Sequence, residues 1–138
     1  MIAYDLSKIR AMAFDVDGVL SSPLVMLISG QPTRTANIKD GYALQLAVKR
    51  GFDIAIVTGG SCEKVRERYR GLGIKDIFMG LSVKINVMKE WMKEKNLSPE
   101  EVLYMGDDIP DYQTMRCVGC SCCPHDAAEE IKEIATYV

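Results

Sequence analysis

The residues able to do chemistry stand at the ends of short apolar runs. Ala11-Met12-Ala13-Phe14 leads into Asp15-Val16-Asp17-Gly18. In an extended strand the two aspartates would face opposite ways, but the glycine lets the backbone leave sharply, so both carboxylates can turn towards one point. Taken alone, Asp-x-Asp reads as a solvated turn, and its company argues otherwise. Ile56-Val57 runs into Thr58-Gly59-Gly60-Ser61, where a hydroxyl and free backbone amides at a helix start suit a phosphate. Thr-Gly-Gly turns are also common without a ligand. Lys84 falls in the first turn of a predicted helix, where the helix dipole disfavours a cation unless an anion is near. Leu103-Tyr104-Met105 leads into Gly106-Asp107-Asp108-Ile109-Pro110-Asp111, three carboxylates beyond a buried strand that would repel one another without a cation. His125, the sole histidine, has no evident orienting partner and reads as an ordinary turn residue.

The elements that must position these residues alternate. Strands are predicted over 11–14, 53–57, 77–79, 102–105 and the cysteine run 117–123. Helical spacing runs from Asp40, a candidate cap, to Gly51, from the Thr58 turn through Val65 to Tyr69, and from Lys84 through Val87, Met88, Trp91 and Met92. A last helix is predicted from Pro124 to Ile134, and 96–101 reads as loop with a single helical turn. Such alternation predicts an α/β fold: a parallel, doubly wound sheet with helices on both faces. Between the first strand and first helix, Leu24 to Ile28 and Thr33 to Ala36 flank Ser29-Gly30-Gln31-Pro32, which predicts a β-hairpin within residues 23–38.

A chain of 138 residues, taken as one unit over 1–138, can bury a core but has no room for a second folded cap. With 17 basic and 19 acidic residues and a net charge of -2, nothing favours nucleic acid or a membrane surface as partner. No secretory signal is read at the N-terminus, and the expected location is the cytoplasm. Four of the five cysteines fall in Cys117-Val118-Gly119-Cys120-Ser121-Cys122-Cys123. The spacing suits a buried strand of free thiols better than the paired knuckles of a zinc site.

The order Asp15-x-Asp17-Gly18, Thr58-Gly59, Lys84, Gly106-Asp107-Asp108-x-x-Asp111 resembles the four motifs of the haloacid dehalogenase superfamily. Asn37-Ile38-Lys39-Asp40-Gly41-Tyr42 is similar to a mark of its capless branch, the 3-deoxy-D-manno-octulosonate 8-phosphate phosphatase family. The resemblance implies a Rossmann-like sheet and magnesium-dependent hydrolysis of a 2-keto-3-deoxy sugar acid phosphate, a step of lipopolysaccharide biosynthesis. Asp15 would be the nucleophile and Asp17 the general acid and base, with Thr58 and Lys84 holding the phosphoryl oxygens. Asp15, Asp107 and the carbonyl of Asp17 would hold Mg2+, while Asp108 and Asp111 orient Lys84 or metal-bound water. Asn37, Lys39, Asp40, Gly41, Gly59 and Arg68 would face the sugar acid, Arg68 across a subunit boundary. A homotetramer, its hairpins joined as a central β-barrel, is the implied assembly.

Three departures from the family pattern bear on substrate choice. Gly60 stands where octulosonate phosphatases often carry arginine and nonulosonate phosphatases glutamate, Ser22-Pro23 replaces an acidic-glycine pair, and the sequence stops at Val138 where relatives continue into a glycine-rich tail with an arginine. The rival readings are a nine-carbon sugar acid 9-phosphate phosphatase, a non-catalytic assembly domain of the same fold, and a phospho-accepting response regulator, which Asp17 and the hairpin fit badly.

Overall fold

The chain alternates strands and helices in the order the apolar runs predict. The computed structural model describes residues 1–28 and 30–138. Strands β1 (Ala11–Phe14), β4 (Asp53–Val57), β5 (Asp76–Phe78), β6 (Val102–Met105) and β7 (Cys120–Cys122) form one sheet of order β5-β4-β1-β6-β7, and every pairing in it is parallel. β1 is central, and the chain winds to one side through β4 and β5 and to the other through β6 and β7. The crevice beyond the C-terminal ends of β1 and its neighbours is the place where such sheets bind ligands.

Alternation along the strands sorts the core into two layers. Ala11, Ala13, Ala55, Val57, Val102 and Tyr104 face Met88, Trp91 and Met92 of α3 (Lys84–Glu94), Met115 of α4 (Tyr112–Arg116) and Ile131 of α5 (Glu129–Ile134). On the opposite face Ile54 and Ile56 pack with Leu44 of α1 (Ile38–Lys49) and with Val65 and Tyr69 of α2 (Glu63–Gly71). Trp91 is buried and still satisfies its indole N–H, which donates to Asp76 Oδ2 at 2.9 Å. The cysteine run contributes β7, whose Cys120 and Cys122 pack with Ile9 against that edge of the sheet. All five cysteines are free.

Several boundaries differ from the sequence expectations. The cap of α1 is Asn37, whose side chain accepts from the Lys39 and Asp40 N–H groups at 2.9 and 3.2 Å, and Asp40 lies inside the first turn. The carboxamide one turn earlier reaches the free amides that Asp40, already helical, cannot. The hairpin strands are shorter than read: β2 (Met26–Ile28) pairs antiparallel with β3 (Gln31–Thr33), Ile28 opposite Gln31, while Ser29 of the expected turn lies outside the described residues. Pro32 is tolerated because the pair forms a two-stranded sheet with outer edges. The cysteine strand is limited to 120–122, because Cys117 caps the end of α4. The last helix starts at Glu129, after a turn over 124–128 that leaves His125 exposed. Among the described residues no helix is long and apolar enough to cross a membrane.

Candidate active site

At the C-terminal edge of the sheet, Asp15 follows β1 and keeps its ladder bond, donating its N–H to Met105 O at 3.0 Å. Its carboxylate continues the side of Ala11 and Ala13, where α3 packs. The first residue of α3 is Lys84, whose Nζ lies 3.0 Å from Asp15 Oδ1 and 2.8 Å from Asp111 Oδ1. A buried lysine at a helix start is explained by these two anions, which offset the adverse dipole. Asp111 is fully buried and saturated: Oδ1 also accepts from the Tyr104 hydroxyl at 2.6 Å, and Oδ2 accepts from the Asp107 and Asp108 N–H groups at 3.0 and 3.4 Å. Gly106 makes room for it, since a Cβ there would lie 2.5 Å from Asp111 Cβ.

Asp107 presents its carboxylate towards the turn after β1. A Cβ built on Gly18, which has φ +83, would collide with Asp107 Oδ2, so the glycine serves both the backbone turn and the approach of the acid. Asp15, Asp107 and Asp111 each place one carboxylate oxygen within 4.8 Å of the others. Burial first, and then repulsion from Asp111, pushes Asp15 up to about 7 despite Lys84. Burial, with Asp111 and Asp108 adding to it, pushes Asp107 up to about 6. Burial alone would lower Lys84, but Asp15 and Asp111 outweigh it and the ammonium is held above its ordinary range. Burial and repulsion from Asp111 thus disfavour the charged forms of Asp15 and Asp107, and Lys84 offsets this only in part.

The remaining predicted residues lie at varying distances from this centre. Thr58 is buried beyond β4, and its Oγ1 accepts from the Gly60 N–H at 3.2 Å. Glu63 starts α2 five residues after Thr58, with Cys62 as its cap, so any phosphate cradle is the loop around exposed Gly59 and not the helix terminus the sequence suggested. The Asp17 carboxylate pairs with Arg34, with Nε 2.6 Å from Oδ1 and Nη2 3.0 Å from Oδ2. Asn37 is committed to its cap, Lys39 is exposed, and Arg68 Nη2 covers Gly41, where an added Cβ would meet it at 2.4 Å. Asp108 is exposed and caps the turn at Ile109 through a 2.8 Å bond, with no contact to Lys84. Asp111, in contrast, holds Lys84 directly.

Two residues here escaped the sequence reading. Tyr104 could have been flagged, as a hydroxyl on a buried strand two residues before the acids needs a partner. Arg34, in a polar stretch of the hairpin, carried no signal. The cysteines join no metal-like cluster among the described residues, and burial pushes Cys122 up to about 12, far from the thiolate a metal requires.

Residues 75–138 match the haloacid dehalogenase-like hydrolase family. The chain is 34% identical over 132 residues to 3-deoxy-D-manno-octulosonate 8-phosphate phosphatase KdsC of Escherichia coli strain K12, covering 95% of this chain and 70% of the relative. The crystal structure of the phosphatase of that name from Yersinia pestis superposes with a TM-score of 0.92 at 33% identity, over 96% of this chain and 72% of that one. The one from Moraxella catarrhalis, solved with a magnesium ion, a phosphate ion and KDO, gives 0.91 at 30% identity, over 96% and 76%.

Proposed function

Because the chain belongs to the haloacid dehalogenase-like hydrolases, and within them to the 3-deoxy-D-manno-octulosonate 8-phosphate phosphatase family, we propose that it hydrolyses 3-deoxy-D-manno-octulosonate 8-phosphate to the free sugar acid and phosphate with magnesium as cofactor. The observation that carries the reading is the convergence of Asp15, Lys84 and Asp107 beyond the ends of β1 and β6, a nucleophilic carboxylate beside one buried cation and one acid whose carboxylate has no hydrogen-bond partner among the described residues. A buried lysine between two buried aspartates is costly to desolvate, which favours a working site over a non-catalytic domain.

Asp15 attacks phosphorus and expels the sugar oxygen, which takes its proton from Asp17. Asp17 then takes a proton from the water that attacks the aspartyl phosphate, releasing phosphate and restoring both acids. Lys84 and the Thr58-Gly59 loop hold phosphoryl oxygens, while Asp111 keeps Lys84 in place. Asp15 and Asp107, with the backbone carbonyl of Asp17, would hold magnesium; Asp111 is excluded because its oxygens are already spent on Lys84, Tyr104 and two amides. The fit is supported by Asp15 and Asp107, raised by burial and by repulsion from Asp111, whose charged forms a divalent ion would favour, and when bound it would supply positive charge to the phosphoryl group.

Assembly completes the reading. Leu24, Met26, Leu27 and Ile28 of the hairpin are all at least half exposed. A lone two-stranded hairpin is marginal in water, so the hairpins are read as the joint of a homotetramer, with sites at subunit boundaries. Five free thiols support the reading of a reducing, cytoplasmic location. Phosphate release should be measured with and without magnesium on a panel that includes the eight-carbon 8-phosphate and nine-carbon 9-phosphate sugar acids. Preference for the first supports the reading, preference for the second reassigns the substrate, and release undiminished by EDTA overturns the metal.

A further inference from the structure

Arg34 reaches back from the end of the hairpin to Asp17 with a fork that engages both carboxylate oxygens, at 2.6 and 3.0 Å. The arginine side chain is 12% exposed and the aspartate 37%, so the better-buried partner holds the freer one. The third nitrogen, Nη1, is buried without a hydrogen-bond partner among the described residues. Folded proteins seldom leave such a donor unmet without a use, and here the fork is kept at the expense of a satisfied guanidinium.

Gly60 makes the space for this arrangement. A Cβ there would stand 2.9 Å from Arg34 Nη2 and 3.4 Å from its Cζ, while the glycine's backbone is not in the left-handed region. What position 60 supplies is therefore the absence of a side chain, which lets the guanidinium lie between Asp17 and the Thr58 loop.

We infer that Arg34 is a positioning residue for the leaving-group step: it fixes the plane of the Asp17 carboxylate so that the acid meets the departing sugar oxygen, with Gly60 as the notch that admits it. The inference rests on the phosphatase reading of Asp17. A general acid works only within hydrogen-bond reach of the atom it protonates, and without the fork this half-exposed aspartate would keep, among the described residues, only a long 3.4 Å bond from Ser21 Oγ to restrain its last torsion. A planar fork restrains that rotation, whereas a lysine at the same place would supply charge alone. The arginine enters from the hairpin, so alignment of the acid depends on an element remote from the sheet.

The test compares kcat/KM for an alkyl phosphate, the eight-carbon sugar acid 8-phosphate or whichever sugar phosphate is turned over, with p-nitrophenyl phosphate, whose leaving group departs without a proton. This parameter stops at phosphoryl transfer to Asp15, so the later water attack does not enter. In Arg34→Gln the alkyl phosphate should lose roughly 10- to 100-fold, part of the range of about 10²–10⁴ that a placed acid supplies, while the nitrophenyl ester loses less than about threefold. Arg34→Lys should recover only part of the loss. Gly60→Ala, which crowds the fork with Arg34 still present, should show the same selective loss at smaller size. Equal losses on both substrates, or none on the alkyl phosphate, overturn the inference, and if Arg34→Gln does not fold, Gly60→Ala decides it. A wild-type protein that releases phosphate from neither substrate overturns the phosphatase reading itself, whereas equal losses leave that reading standing.

Discussion

Tyr104 donates its hydroxyl proton to Asp111 Oδ1 across 2.6 Å, and the same oxygen accepts from Lys84 Nζ at 2.8 Å. A strand side chain thus helps hold the acid that holds the lysine. Tyr104→Phe removes one charge-assisted bond inside the core and leaves the ring's packing. The expected loss is about 1.5–3 kcal/mol of stability, read as a lower urea midpoint at unchanged slope. An unmoved midpoint would show that the bond contributes nothing.

Lys84→Met should cost more. Asp15 and Asp111 would be left buried without their cation, a change worth about 3–5 kcal/mol at neutral pH. The deficit should shrink near pH 5, where Asp15, already raised to about 7 in the intact protein, takes up a proton. Phosphate release should fall by about 10²–10³-fold, as for loss of one donor to a developing negative charge. A variant with the same deficit at both pH values would separate Lys84 from the acids.

The metal should bind with a steep pH dependence. Asp15 at about 7 and Asp107 at about 6 both lie above the ordinary 3.8, so the metal-free fold favours their protonated forms. The stability these groups contribute is complete below about pH 4 and is lost as the pH rises through about 6 and then about 7. Magnesium needs the carboxylates, and its affinity should rise over that same window. Calorimetric titration near pH 5.5 and again near pH 8 should show weak and then strong binding, and equal affinities would refute the assignment of Asp15 and Asp107 as ligands.

The hairpin offers a test of assembly. Leu27 is 76% exposed in the isolated chain, so Leu27→Lys removes nothing from the chain's own core. Sedimentation equilibrium should find wild type as a tetramer and the variant as smaller species, with the same circular dichroism. Activity should fall with dissociation, because the sites are read as lying at subunit boundaries. A fully active wild-type monomer would overturn this reading.

The order of the candidate site residues and their place at one sheet edge were legible in the sequence. Asp15, Thr58 and Asp107 each stand where an apolar run ends, and a parallel sheet sends such ends to one edge. Lys84 was legible because a cation in a first helical turn asks for an anion. The cysteine run was readable as strand because small apolar side chains next to a turn have few other uses. What only the tertiary structure decided are the pairings: Lys84 with Asp111 across 27 positions, Asp17 with Arg34 across 17, and Tyr104 as the second side-chain partner of the buried acid. It also decided that Asn37 is spent as a cap and that Asp108 turns outward. The physical reason is that periodicity and composition report which side of an element is buried, a property of each segment alone. Which polar atom satisfies which other depends on where segments distant in sequence come to lie, and a buried charge takes whichever partner the packed chain brings within about 3 Å.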